Sequence, residues 1–200
     1  MKRLLLSALI LFCLAGNAYA EGRYYAGGAA ASTCSTYNLE QSNAVEDAFV
    51  GFCRYSTERL SVSTSFTASS SYTLQRVSVK LDKQGSPTCN VTVKICNDNG
   101  SGLPTTTCTT FGNIDCSTVA GAFIDLTQAT IGNGKALTNG TKYHAVIDCN
   151  GYAGGDNDYI KWILDSTEVG QTIDTYHTTP GWEIAYTDRQ FNFRGYSCTP

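Results

Sequence analysis

Thr73-Leu-Gln-Arg-Val-Ser-Val-Lys-Leu81 is the stretch that decides the fold. Val77, Val79 and Leu81 fall on one side of an extended chain and Arg76, Ser78 and Lys80 on the other. That period of two marks a strand with one face in a core. Cys89-Asn-Val-Thr-Val-Lys-Ile-Cys96 repeats the pattern, with Val91, Val93 and Ile95 inward and Asn90, Thr92 and Lys94 outward. Gln84-Gly-Ser-Pro87 supplies a turn between the two, so the sequence predicts that they pair as neighbours.

Working outward, similar segments recur at 60–66, 122–127, 142–149, 159–165, 182–186 and 190–196. Turn residues separate them: Asn97-Asp-Asn-Gly-Ser-Gly-Leu-Pro104, Gly132-Asn-Gly134, Asn139-Gly140 and residues 151–158. No window carries a long amphipathic helix. The pattern predicts an all-β, two-sheet antiparallel β-sandwich.

The N-terminus reads differently. Lys2 and Arg3, an apolar run from Leu4 to Gly16, and Ala18-Tyr19-Ala20 make a cleavable signal peptide at 1–20. Its apolar run is shorter than the roughly 20 residues a membrane span needs. Residues 21–44 are small, polar and aperiodic, an extended N-terminal arm; 45–200 form the β-sandwich domain. The protein is therefore expected to be secreted, outside the cell or on its surface.

Cys13 leaves with the signal, and eight cysteines remain: Cys34, Cys53, Cys89, Cys96, Cys108, Cys116, Cys149 and Cys198. None shows the Cys-x2-Cys spacing of a zinc site, and in an oxidising compartment an even set predicts disulfides. Eight cysteines allow 105 pairings. Cys89 and Cys96 point to opposite faces of one strand, roughly 23 Å apart, and cannot bond. Parity permits Cys89–Cys149; Cys96 lies at a loop mouth with Cys108 and Cys116 beyond it, which points to one bridge within that trio, and Cys34–Cys53 would staple the arm.

The formal charge is −3, and more negative once Lys2 and Arg3 are removed, with only 16% charged residues. That excludes an electrostatic footprint for nucleic acid or anionic membrane.

Several of these stretches carry a resemblance. Leu74-x-x-Val77-x-Val79-x-Leu81, Asn90-Val-Thr-Val93, Asp98-Asn-Gly100 with Gly102-Leu-Pro104, and Leu137-Thr-Asn-Gly-Thr-Lys-Tyr143 are similar to a jelly-roll-like β-sandwich domain. It recurs in bacterial secreted, surface and phage-associated proteins, some of them called choice-of-anchor domains. Gly181-Trp182 and Phe191-x-Phe193-Arg194-x-Tyr196 resemble its closing strands. The resemblance runs from about Leu60 to Tyr196 and implies a jelly-roll-like fold; it is nearly silent on activity.

The familiar catalytic sets are missing: no Gly-x-Ser-x-Gly elbow, no His-Glu-x-x-His, no phosphate-binding loop. His144 has outward parity and His177 sits near a turn, where ordinary surface histidines are found. Asp148, Asp156, Asp158, Asp165 and Asp174 show no pairing in their spacing. The expectation is that the chain is not an enzyme. It needs no cofactor, with one structural exception: Asp156 and Asp158 on a Gly-rich loop offer hard oxygens for calcium, as does Asn97-Asp-Asn-Gly100. Trp162 shares the inward parity of Ile160 and Leu164. Tyr152, Tyr176, Trp182 and Tyr186 lie near predicted loops, where a sugar ring can stack on them. The sequence thus points to a secreted, non-catalytic module for extracellular recognition or adhesion, its partner a glycan or surface protein. The alternatives are a structural subunit that assembles with copies of itself through the arm, and a secreted hydrolase.

Overall fold

The computed structural model describes residues 34–43, 45–54, 59–128, 130–151, 154–167, 173–177, 181–187 and 189–199, with backbone alone at 59 and 173–177. The expected signal peptide, the first part of the expected arm and Tyr152 lie outside the described residues. In chain order the strands are β1 (Thr36–Ser42), β2 (Ala48–Phe52), β3 (Arg59–Thr67), β4 (Tyr72–Leu74), β5 (Arg76–Gln84), β6 (Asn90–Asp98), β7 (Pro104–Asp115) and β8 (Phe123–Thr127). They continue as β9 (Lys135–Leu137), β10 (Lys142–Cys149), β11 (Tyr159–Asp165), β12 (Ile173–His177), β13 (Trp182–Tyr186), β14 (Gln190–Phe191) and β15 (Phe193–Thr199). Among the described residues the one helical turn is a 3₁₀ turn at Cys116–Thr118, and no helix is long and apolar enough to cross a membrane.

Two antiparallel sheets make the sandwich. One runs β1-β15-β5-β11-β14, with β2 also on β11 and β8 also on β5; the other runs β13-β12-β3-β10-β6-β7. A small β4-β9 pair stands apart. The chain passes repeatedly from one sheet to the other, with β6–β7 and β12–β13 as antiparallel neighbours within one sheet. Between them the apolar faces read from the sequence meet: Val77, Val79 and Leu81 from one sheet, Val91, Val93, Ile95, Ala145 and Ile147 from the other. Trp162 is fully buried in this core, as its parity predicts.

The expected pairing of β5 with β6 is corrected. β5 bonds β15, β8 and β11, while β6 bonds β10 and β7. The turn after Gln84 carries the chain across the sandwich, so the two apolar faces oppose each other instead of lying side by side. Gly85 makes the crossing feasible. Its φ is +68°, and a Cβ there would stand 2.1 Å from Asp158 Oδ1. From Cys34 onward the expected arm is part of the body: β1 pairs antiparallel with β15 at the edge of its sheet.

All eight described cysteines are bridged, as Cys34–Cys198, Cys53–Cys149, Cys89–Cys116 and Cys96–Cys108. The bridge within the trio is Cys96–Cys108, across directly paired positions of β6 and β7. Cys34 joins Cys198 in place of Cys53, because β1 lies against β15. Cys149 joins Cys53 in place of Cys89. Parity brought Cys89 and Cys149 to one patch of the core, but Cys53 and Cys116 converge on that patch too, and parity cannot choose among four. The four pairs are nested, each enclosing the next in sequence.

Candidate functional site

The outer face of the second sheet is a trough. Ser61, Ser63 and Ser65 of β3 alternate with the core residues Val62, Thr64 and Phe66, which turns the serines outward, yet all three are buried. Strand pairing sets them in crosswise rows: Ser61–Asp148–Thr92–Asn113, Ser63–Val146–Lys94–Thr110, and Ser65–His144–Cys96–Cys108. Small side chains along β3 leave depth that larger ones would fill. The wall is β13. Trp182 pairs with Tyr176, which pairs with Ser61, extending the first row. Ile184 reaches to 3.8 Å of where a Cβ on Gly102 would lie, so β13 leans across the trough toward the turn between β6 and β7.

Two hollows open along this trough. One, of about 360 Å³, is lined by Lys94, Cys96, Thr105, Cys108, Asp148 and Trp182 among others; the second, of about 380 Å³, by Leu60, Ser61, Asp148, Cys149, Asn150 and Trp182. They share Trp182 and Asp148, so they form one groove with the indole at its middle. Lys94 and Asp148 are ion-paired and hydrogen-bonded on its floor. The floor thus offers ammonium donors and a carboxylate acceptor with little net charge, between threonine hydroxyls at 105, 106 and 110.

His144 departs from expectation. Its outward parity holds, yet it is fully buried, with Nε2 2.8 Å from Asp98 Oδ2. Asp98 Oδ1 accepts the Gly100 N–H at 2.7 Å, and Asn99 Oδ1 accepts those of Ser101 and Leu103. This candidate calcium run therefore spends its oxygens on holding the turn that forms the rim of the groove. Burial would raise the Asp98 pKa, but the hydrogen bond from His144, the Gly100 N–H and the imidazole charge outweigh it and hold the carboxyl below its usual range. A carboxylate with a lower pKa folded than unfolded stabilises the fold above the ordinary range, and that contribution is lost as pH falls through it. The melting temperature is therefore expected to hold from about pH 7 to 5 and to fall below about pH 4. Asp98→Asn should melt lower at neutral pH and show a shallower acid drop; a parallel, equally steep curve would count against this pair.

The other predicted site residues scatter. Asp158 Oδ1 accepts the Ser86 N–H at 2.7 Å and its Oδ2 faces the Gly155 N–H, tying two turns together. Asp156 is exposed on the same turn. Among the described residues the metal-ligating side chains that gather in threes or more are Cys53, Cys89 and Cys149, with no carboxylate among them. Tyr186 packs against the core, with the Arg189 guanidinium 4.0 Å over its ring. Tyr176 belongs to the Trp182 row by register. Of the four predicted aromatics, Trp182 lines the groove. Sequence reading missed Ser61, Ser63, Lys94 and the threonines of β7, although the Ser-x-Ser-x-Ser alternation within 61–65 was a visible sign of a shallow outer face.

No protein-family model matches the sequence, and no curated protein matches it. Among solved structures, the fold is similar to that of the clostridial cysteine protease Cwp84 after propeptide cleavage. The TM-score is 0.57 at 11% identity, over 82% of this chain and 40% of that one. A structure of the cysteine protease and lectin-like domains of Cwp84, a surface layer associated protein of Clostridium difficile, is similar at TM-score 0.50 and 12% identity, over 72% of this chain and 32% of that one. The chain thus spans less than half of either chain, and identities this low establish likeness of fold alone. One expectation is overturned nonetheless. The missing motifs implied that the chain is not an enzyme, but these two structures of similar fold come from a cysteine protease, so the missing motifs do not separate this chain from enzymes.

Proposed function

We propose that this is an extracellular surface module that recognises a glycan chain in the groove beneath Trp182. The observation that carries it is the joining of two hollows at one indole. A flat apolar face with hydroxyls, an ammonium and a carboxylate around it suits a sugar ring, which has apolar C–H faces and a polar rim. The open, elongated groove suits a chain of rings, and the neutralised Lys94–Asp148 floor favours uncharged sugars over anionic ones. Four disulfides suit a protein that works outside the cell, and the fold recurs in a surface layer associated protein with lectin-like domains.

The test is a glycan array on the mature protein, followed by calorimetry on the oligosaccharides retained. Trp182→Ala is expected to weaken binding by about 30-fold, the effect of losing an aromatic anchor worth roughly 2 kcal/mol. A blank array at high concentration, or a Trp182→Ala affinity equal to wild type, would overturn the reading. The hydrolase alternative has one observation behind it, the cysteine protease in which the fold recurs. Mass analysis of the retained oligosaccharides and of peptide substrates for cleavage products tests it in the same experiment.

A further inference from the structure

Two of the four bridges are neighbours. The Sγ atoms of Cys53, Cys89 and Cys149 all lie within 4.8 Å of one another, although Cys53 is bonded to Cys149 and Cys89 to Cys116. Cys53, Cys89 and Cys116 are buried, but Cys149 is partly exposed and lines the second hollow of the groove, beside Leu60, Ser61 and Trp182. Cys53 also holds a left-handed backbone, φ 61°, the one non-glycine residue with positive φ among those described.

We propose that the Cys53–Cys149 and Cys89–Cys116 bridges form a single thiol–disulfide exchange centre, entered by a small thiol through the groove at Cys149. Exchange proceeds by attack of a thiolate on one sulfur of a disulfide, with the other sulfur leaving as thiolate. The incoming thiolate bonds to Sγ of Cys149, the Cys53–Cys149 bond breaks, and Cys53 departs with the electron pair. The Cys53 thiolate stands next to Cys89. It bonds to Sγ of Cys89, the Cys89–Cys116 bond breaks, and Cys116 leaves as thiolate and takes up the proton the small thiol gave up. The products are a mixed disulfide on Cys149, a Cys53–Cys89 bridge and a Cys116 thiol. Two disulfides and one thiol stand on each side of the equation, so the relay consumes no oxidant or reductant. The other two bridges lack this arrangement: among the described residues no third sulfur gathers with Cys34–Cys198 or with Cys96–Cys108.

The test exposes oxidised mature protein to glutathione, quenches with acid, labels free thiols with a maleimide and maps the peptides without reduction. Expected are glutathione on Cys149, a Cys53–Cys89 linkage, and label on Cys116 rising well above a sample without glutathione. Adducts elsewhere with Cys89–Cys116 intact, a Cys149 adduct with label on Cys53, or no reaction would each overturn the proposal. A second measurement needs no added thiol. Cys116→Ser leaves the Cys89 thiol beside the Cys53–Cys149 bridge, and its map is expected to show Cys53–Cys89 and Cys89–Cys149 alongside the native pair. Cys89→Ser leaves Cys116, which is outside the sulfur cluster, and should keep Cys53–Cys149 alone. Identical maps for the two variants, each with that bridge alone, would refute the relay.

Discussion

Replacing Trp162 with alanine is expected to destabilise the protein by about 3–5 kcal/mol, the usual cost of truncating a large core aromatic. Trp162 is fully buried and stacked on Phe191, ring centroids 4.2 Å apart and planes 1° from parallel. Its indole N–H donates to the Asn192 carbonyl at 3.0 Å. That carbonyl also accepts from Lys80, and the Asn192 N–H donates to Ile163. The indole therefore anchors the joint where β14 passes into β15 between β5 and β11. Alanine would leave a cavity and remove one bond from this joint, and the neighbouring strands cannot close the gap without breaking their ladders. In thermal melts the loss should appear as a drop of roughly 10 °C at this chain length. Trp162→Phe should fall between, keeping the stack and losing the hydrogen bond. A Trp162→Ala loss below about 1 kcal/mol would mean the core repacks freely, against the density expected of it.

The second large effect is expected from Cys34→Ser with Cys198→Ser. Cys34–Cys198 spans 164 residues, but with Cys53–Cys149 in place the unfolded chain is already constrained. The loop it closes is then roughly 70 residues, worth about 4 kcal/mol in the chain-entropy account. β1 has further contacts at stake. The Arg76 guanidinium lies between the rings of Tyr37 and Tyr196, 4.4 and 4.0 Å from their centroids, so one half of that clamp belongs to β1. The variant should melt lower, and amide exchange should lose protection along 36–42 before the rest of the body. Retained protection there with unchanged melting would show that backbone pairing alone holds β1.

What the sequence made legible was whatever alternates. The strands at 142–149, 159–165 and 182–186 could be read because one face of each is apolar or aromatic and the boundaries carry turn residues. β7 escaped because Pro104–Asp115 is rich in threonine and polar on both faces along much of its length, and β1 escaped because its apolar residues are sparse. Partnership between strands was harder still. The alternation of β5 and β6 says that each buries a face, and that requirement is met equally well side by side or across a sandwich. The groove lay further out of reach, since it depends on β13 leaning over β3, a long-range event with no local signature. Trp182 could be flagged as an aromatic near a loop, but its companions Lys94 and Asp148 look like any solvent-facing ion pair until the strands are set in register.

Written as brackets, the four disulfides open at Cys34, Cys53, Cys89 and Cys96 and close in reverse order at Cys108, Cys116, Cys149 and Cys198, with no two crossing. A protease that cuts once anywhere between Cys34 and Cys198 therefore never releases a fragment. The two pieces stay joined by one bridge when the cut is near either end and by all four when it falls between Cys96 and Cys108. The Asn99–Leu103 turn, at the rim of the groove and open to solvent at Gly100 and Ser101, lies in that innermost interval. A nick there cuts the chain at its most securely fastened point.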